Sequence, residues 1–132
     1  MAHVLVVDDE VLCALGVKSH LESLGHRVTI AFTVMDAIRS FDMDPADAVV
    51  TDFRMPRMDG KDLVRYLRDR SRDLPILILT GYAPDAEAVC RSSDPPIAVL
   101  DKPAVPQVLN ETLASLLARS GKVLADQTSI SA

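Results

Sequence analysis

Short apolar runs and helical stripes alternate along the 132-residue chain. His3 to Val7 is a short run of mostly β-branched and apolar residues, continuous instead of alternating, the pattern of a parallel strand covered on both faces, and it stops at Asp8-Asp9-Glu10. Val11, Leu12, Leu15, Leu21 and Leu24 then recur at helical spacing and Gly25 ends the run, which predicts a first helix over Glu10 to Leu24 with these residues as its apolar face. Arg27 to Ala31 reads as a second strand. Thr33 is an N-cap candidate for a second helix whose stripe is Val34, Ala37, Ile38 and Phe41. Pro45 marks a connection, and Asp47 to Asp52 is the third strand. Asp59-Gly60 closes a turn before a third helix, which buries Leu63, Val64 and Leu67 and exposes Lys61, Arg65, Arg68, Asp69 and Arg70.

Pro75 to Thr80 carries almost no polar residue before its end, so it should be a central strand. Pro84 to Ser92 offers only Ala86, Val89 and Cys90 as apolar contacts and is expected to be the loosest helix. Ser93-Asp94-Pro95-Pro96 breaks the chain, Ile97 to Leu100 is the fifth strand, and Asp101-Lys102-Pro103 follows. The last helix starts near Pro106, which suits a first helical position, and buries Val108, Leu109, Leu113, Leu116 and Leu117. Five strands alternating with five helices predict a single α/β domain over residues 3–119, a doubly wound (βα)5 fold with a five-stranded parallel sheet. Residues 120–132 are expected to form a flexible tail.

Composition narrows the function classes. The net charge of −5, with scattered basic residues, argues against a nucleic-acid-binding surface, which needs clustered Lys and Arg. No apolar run approaches the roughly 20 residues that cross a bilayer, and the amino terminus lacks the pattern of a signal peptide. A cytoplasmic protein with no membrane partner is the expectation. Cys13 and Cys90 have no partner at metal-ligand or redox spacing and read as reduced packing residues. His3, His20 and His26 show no ligand spacing either.

The chemistry gathers at strand ends. Asp8 and Asp9 end the first strand, Asp52 the third and Thr80 the fourth, while Lys102 follows the fifth, so all five lie at the carboxyl edge of one sheet, where open α/β folds place their ligands. Taken singly, each has an ordinary explanation. Asp8-Asp9-Glu10 could cap a helix, Asp52 could be a turn residue, and Thr80 and Lys102 could simply end strands. Together they put three carboxylates, a hydroxyl and an ammonium in one place. Adjacent carboxylates raise one another's pKa unless a cation relieves them, and hard oxygen ligands suit Mg²⁺. An Asp can act as a nucleophile toward phosphorus, and a Lys point charge can pair with a carboxylate or a phosphoryl oxygen. The set has the chemistry of a phosphoryl-transfer site, where positioning and charge neutralisation supply most of the catalysis.

With these residues in place, residues 3 to 119 resemble a response-regulator receiver domain of two-component signalling, of the CheY-like superfamily with its flavodoxin-like fold. The resemblance implies the strand order 2-1-3-4-5. It implies that Asp52 is the phosphoacceptor of a phosphorelay, served by a histidine kinase or phosphotransfer protein, and that the domain assists its own phosphorylation and dephosphorylation without being an enzyme otherwise. Asp9, Asp52 and the backbone carbonyl of Arg54 would bind Mg²⁺, with Asp8 holding it through water. Thr80 would be the switch hydroxyl, Lys102 would contact a phosphoryl oxygen, and the peptide before Pro103 would be cis.

A surface formed by residues 84–92, the fifth strand and the last helix would address an effector or a second copy. Many receivers carry an aromatic residue at the position of Val99; without it, the signal would pass through another element, such as Tyr82 or residues 84–92, or the conformational change would be smaller. Arg54 and Tyr82 are expected to limit hydrolytic water. No output domain follows residue 119, so the chain is expected to be a stand-alone regulator or the receiver part of a hybrid histidine kinase. Two competing readings are an interaction domain that works without phosphorylation and a haloacid dehalogenase-like phosphatase. The phosphatase would want an acid two residues after the nucleophile, where Arg54 stands.

Overall fold

The computed structural model describes residues 2–53, 60–81, 97–102 and 105–119. The apolar runs become strands β1 (His3–Val7), β2 (Arg27–Ala31), β3 (Ala48–Asp52), β4 (Ile76–Thr80) and β5 (Ala98–Asp101), each within a residue of its expected limits. They form one parallel sheet in the order β2-β1-β3-β4-β5. The three interior strands β1, β3 and β4 are buried at every position, whereas β2, at one edge, is buried only at Ala31. Helices α1 (Val11–Ser23), α2 (Val34–Met43), α3 (Gly60–Arg70) and α4 (Pro106–Arg119) connect and flank the strands. The helix expected over Pro84 to Ser92 and the tail after residue 119 lie outside the described residues, as does Cys90.

Alternate strand residues point to opposite faces and so feed two cores. Leu5, Val7, Val49, Ile76 and Ile78 pack with Val34, Ala37 and Phe41 of α2 and with Leu63, Val64 and Leu67 of α3. Val4, Val6, Val50, Leu77 and Leu79 pack with Ala14 and Leu21 of α1 and with Leu109, Leu113, Leu116 and Leu117 of α4. Each fully buried Leu, Ile or Val contributes roughly 1.5–3 kcal/mol relative to exposure, so the sheet is held from both sides.

Local capping fixes where the helices begin. The Thr33 hydroxyl accepts from the Asp36 N–H at 3.1 Å, the expected N-cap. Gly25, with φ 93°, follows the end of α1 in a conformation that glycine adopts without penalty. The α1 periodicity locates that helix but not its buried face. Ala14 and Leu21 are buried, with Val17 partly so, while Val11, Leu12, Leu15 and Leu24 are exposed. Val108 of α4 is likewise exposed, and Arg68 of α3 is half-buried because its Nε donates to the Leu74 carbonyl at 3.1 Å. No helix among the described residues is long and apolar enough to cross a membrane.

Candidate functional site

Strand register decides which side chains meet. Val7 lies opposite Thr51, Asp52 opposite Leu79, and Thr80 opposite Asp101, so Asp8, Asp52, Thr80 and Lys102 leave the sheet at one edge and nearly one level. One carboxylate oxygen from each of Asp8, Asp9 and Asp52 lies within 4.8 Å of the others. Asp8, Asp52 and Thr80 are buried, and Asp9 is exposed. Lys102 reaches in from the end of β5, with its Nζ 2.9 Å from Asp8 Oδ2 and 3.4 Å from Asp52 Oδ2.

Hydrogen bonds give the two buried carboxylates different freedoms. Asp8 is taken on both oxygens, because Oδ1 accepts from the Glu10 N–H at 2.9 Å and Oδ2 from Lys102. On Asp52, Oδ1 accepts from the Phe53 N–H at 2.8 Å, while Oδ2 has only the longer approach of Lys102 among the described contacts. The Thr51 hydroxyl donates to the Asp52 carbonyl at 2.8 Å, and the Lys102 N–H donates to the Thr80 carbonyl at 2.8 Å. These backbone partners have no sequence signal, since any non-proline residue supplies the same N–H or carbonyl group.

The electrostatics follow from this geometry. Burial pushes the Asp52 carboxyl above its ordinary pKa; the Lys102 charge opposes the shift and the Asp8 charge adds to it. Burial also works against the Lys102 ammonium, but its hydrogen bond to Asp8 and the charges of Asp52 and Asp8 outweigh that and hold it above 10.5. One ammonium is thus shared by two buried carboxylates beside a third, exposed one. Three hard oxygen donors with that excess negative charge form a donor set that fits a small divalent cation such as Mg²⁺.

The structure therefore brings Asp8, Asp9, Asp52, Thr80 and Lys102 to one edge. Arg54 and Pro103, as well as Tyr82, lie outside the described residues. Val99 is half-buried against the core that contains Phe53, Ile78 and Ile97.

The sequence and the fold were compared with those of known proteins. Residues 4–114 match the response regulator receiver domain family. The response regulator MprA of Mycobacterium tuberculosis strain H37Rv is 33% identical over 117 residues, 89% of this chain and 51% of that protein, and MprA of Mycobacterium ulcerans shows the same identity. A receiver domain from Clostridium thermocellum superposes with a TM-score of 0.82 at 28% identity, covering 92% of this chain and 98% of that one. The Vibrio cholerae chemotaxis protein CheY4 gives 0.78 at 30% identity, with 89% and 99% covered. The chain belongs to the response regulator receiver domain family, a family of two-component signalling domains with the flavodoxin-like fold. It spans about half the length of the curated relatives it matches.

Proposed function

We propose that this domain accepts a phosphoryl group on Asp52 from the phosphohistidine of a histidine kinase or phosphotransfer protein. The observation that carries this reading is the shared Lys102 ammonium at the mouth of a buried carboxylate pair, 2.9 Å from Asp8 and 3.4 Å from Asp52. Asp52 Oδ2 is the oxygen with the weaker hold on it, and it attacks phosphorus as the P–N bond to the donor imidazole breaks. The electron pair of that bond stays on the departing ring nitrogen, and the product is an aspartyl-phosphate.

Lys102 then exchanges its carboxylate contact for a phosphoryl oxygen, and the Thr80 hydroxyl turns toward another. Asp9, Asp52 and the Arg54 carbonyl would hold Mg²⁺, which would supply charge neutralisation for the transferring group. Asp8 would serve the ion through water, a role supported by the full use of both its oxygens within the fold. The added charge of about −2 shifts a pre-existing conformational equilibrium that an effector reads.

A phosphohistidine can reach Asp52 only if its protein sits against the carboxyl edge. That edge has an apolar rim: Val11 and Leu12 at the start of α1, Phe32 and Met35 before and within α2, and Val105 and Val108 around the start of α4 are all exposed. Such a rim supports docking of a donor protein.

The deciding experiment is intact mass after incubation with acetyl phosphate and Mg²⁺. Wild type gains one phosphoryl group, and Asp52→Ala or chelated metal abolishes the gain. No gain from either acetyl phosphate or a phosphorylated histidine kinase would move the domain to a phosphorylation-independent interaction role.

A further inference from the structure

A second binding feature lies beside the acidic edge. Between α1 and α4 runs a groove of about 520 Å³, lined by Leu12, Cys13, Gly16, Val17 and His20 on one side and by Pro106 and Leu109 on the other, with Leu79 as its floor. Asp8 and Lys102 close one end. At the other, His20 Nε2 meets the Pro106 carbonyl at 3.0 Å and ties the two helices together. Leu12 to His20 covers about 12 Å of helix, and the volume falls within the range of roughly 300–1,000 Å³ usual for small-molecule sites.

Gly16 is the residue that the fold leaves unexplained. Glycine is disfavoured in a helix interior because it loses the most backbone freedom on folding. Nothing lies within 4 Å of where a Cβ would stand, so no close approach within the described residues requires a glycine there. Any side chain at this position would instead occupy the groove. Gly16 keeps open a space that nothing in the described fold fills.

The charge around the Asp8 end indicates what fits. The carboxylates of Asp8, Asp9 and Asp52 gather there, with the Lys102 ammonium 2.9 Å from Asp8 and 3.4 Å from Asp52, and Glu10 Oε2 lies 3.9 Å from the Cys13 thiol that lines the groove. Apart from that thiol, Glu10 has no side-chain partner among the described residues. We infer that the α1–α4 groove binds a small organic cation, its apolar body over Gly16 and between Leu12 and Leu109, its ammonium or guanidinium at Glu10. This binding does not depend on phosphorylation of Asp52. Its consequence for signalling rests on the reading above: an organic cation at this mouth opposes Mg²⁺ electrostatically and so slows phosphoryl uptake.

Phenylbutylamine is a suitable probe, with phenylbutanol and phenylbutyrate as matched neutral and anionic controls. Amide shifts of the ¹⁵N-labelled full chain are followed with and without Mg²⁺. The amine should shift α1 and α4 saturably, bind about tenfold more tightly than the alcohol or the carboxylate, a difference of about 1.4 kcal/mol, and weaken when Mg²⁺ is added. Gly16→Leu, a change to a better helix former, should abolish binding while phosphorylation by acetyl phosphate is unchanged. Glu10→Gln should remove the preference for the amine and leave alcohol binding as it was.

Equal binding of the three probes, absence of saturable shifts at α1 and α4, or wild-type affinity in Gly16→Leu would each overturn the assignment. Failure of all probes together with slower phosphotransfer from a histidine kinase to Gly16→Leu would give the groove to a partner protein instead. Failure of Asp52 to accept phosphate, by contrast, would leave these binding outcomes unaffected.

Discussion

At the amino edge of the sheet, His3 and His26 are buried and hydrogen-bonded within the fold. The His3 N–H donates to Asp47 Oδ2 at 2.8 Å, its ring reaches the Pro45 carbonyl at 3.3 Å and the Thr29 hydroxyl at 2.8 Å, and His26 Nδ1 accepts from the Ala2 N–H at 3.2 Å. One neutral tautomer of His3 satisfies both of its ring contacts. At the carboxyl edge, Asp8 and Asp52 share one ammonium, and burial leaves the Asp52 charge disfavoured. The first edge closes the fold through backbone and side-chain hydrogen bonds to its two buried rings. The second keeps a negative excess that only an added cation relieves, and this is where a site gains from strain that a merely structural edge would avoid.

The largest separation of the two edges should come from Asp52→Asn. Phosphoryl uptake, read by mass, should be lost completely, while the thermal midpoint in metal-free buffer should hold or rise, because the replaced charge is one the fold resists. A destabilised Asp52→Asn would mean that the carboxylate is a structural group like those at the amino edge. Lys102→Met should be the most destabilising single change at the site, by about 3 kcal/mol in chelator, since it leaves buried carboxylates without their cation. Added Mg²⁺ should return part of that loss, and denaturant midpoints with and without metal would measure it. A metal-insensitive variant would sink the idea that Lys102 and the ion relieve the same charge.

The two edges should also respond oppositely to acid. Burial and the nearby amino terminus hold the His26 pKa below 6.5, so the unfolded chain takes up the proton first and stability falls as pH drops through 6.5. Asp52 is raised, so the folded state takes up its proton first, and its contribution to stability grows as pH falls from that raised value toward 3.8. Denaturant midpoints across this range should lose the first slope in His26→Gln and the second in Asp52→Asn.

Smaller still, Thr33→Ala should cost about 1 kcal/mol through the lost α2 cap, with no change in uptake. Leu12→Ser, at a side chain 85% exposed, should stay within about 0.5 kcal/mol of wild type. A slowed phosphotransfer from a donor protein, with normal acetyl phosphate kinetics, would place Leu12 in the docking rim.

The strands were legible because a parallel strand covered on both faces is mostly apolar, and β1, β3 and β4 carry polar residues only at their ends. The convergence of the five candidate residues was legible because each sits at or beside a strand end, and a parallel sheet gathers such ends on one edge. The buried face of α1 was not. Val11, Leu12 and Leu15 face outward, and Ala14, Val17 and Leu21 face the sheet, so apolar character gave no guide where angle decides. The roles of His3 and His26 depend on partners 24 to 44 residues distant, which no local spacing records. Nor could the groove over Gly16 be read from sequence, since it depends on the distance between two helices that are far apart in the chain.

The backbone rung from the Lys102 N–H to the Thr80 carbonyl extends the β4–β5 ladder one step past its last strand pair. It mounts the hydroxyl and the ammonium on a common rail. Neither base can slide along its strand without carrying the other, so the two side chains can adjust only by turning about their own bonds. Under the proposed chemistry, the jaw that closes on a phosphoryl group has its two teeth set at a fixed gauge, and a small displacement at Asp52 is felt by both at once.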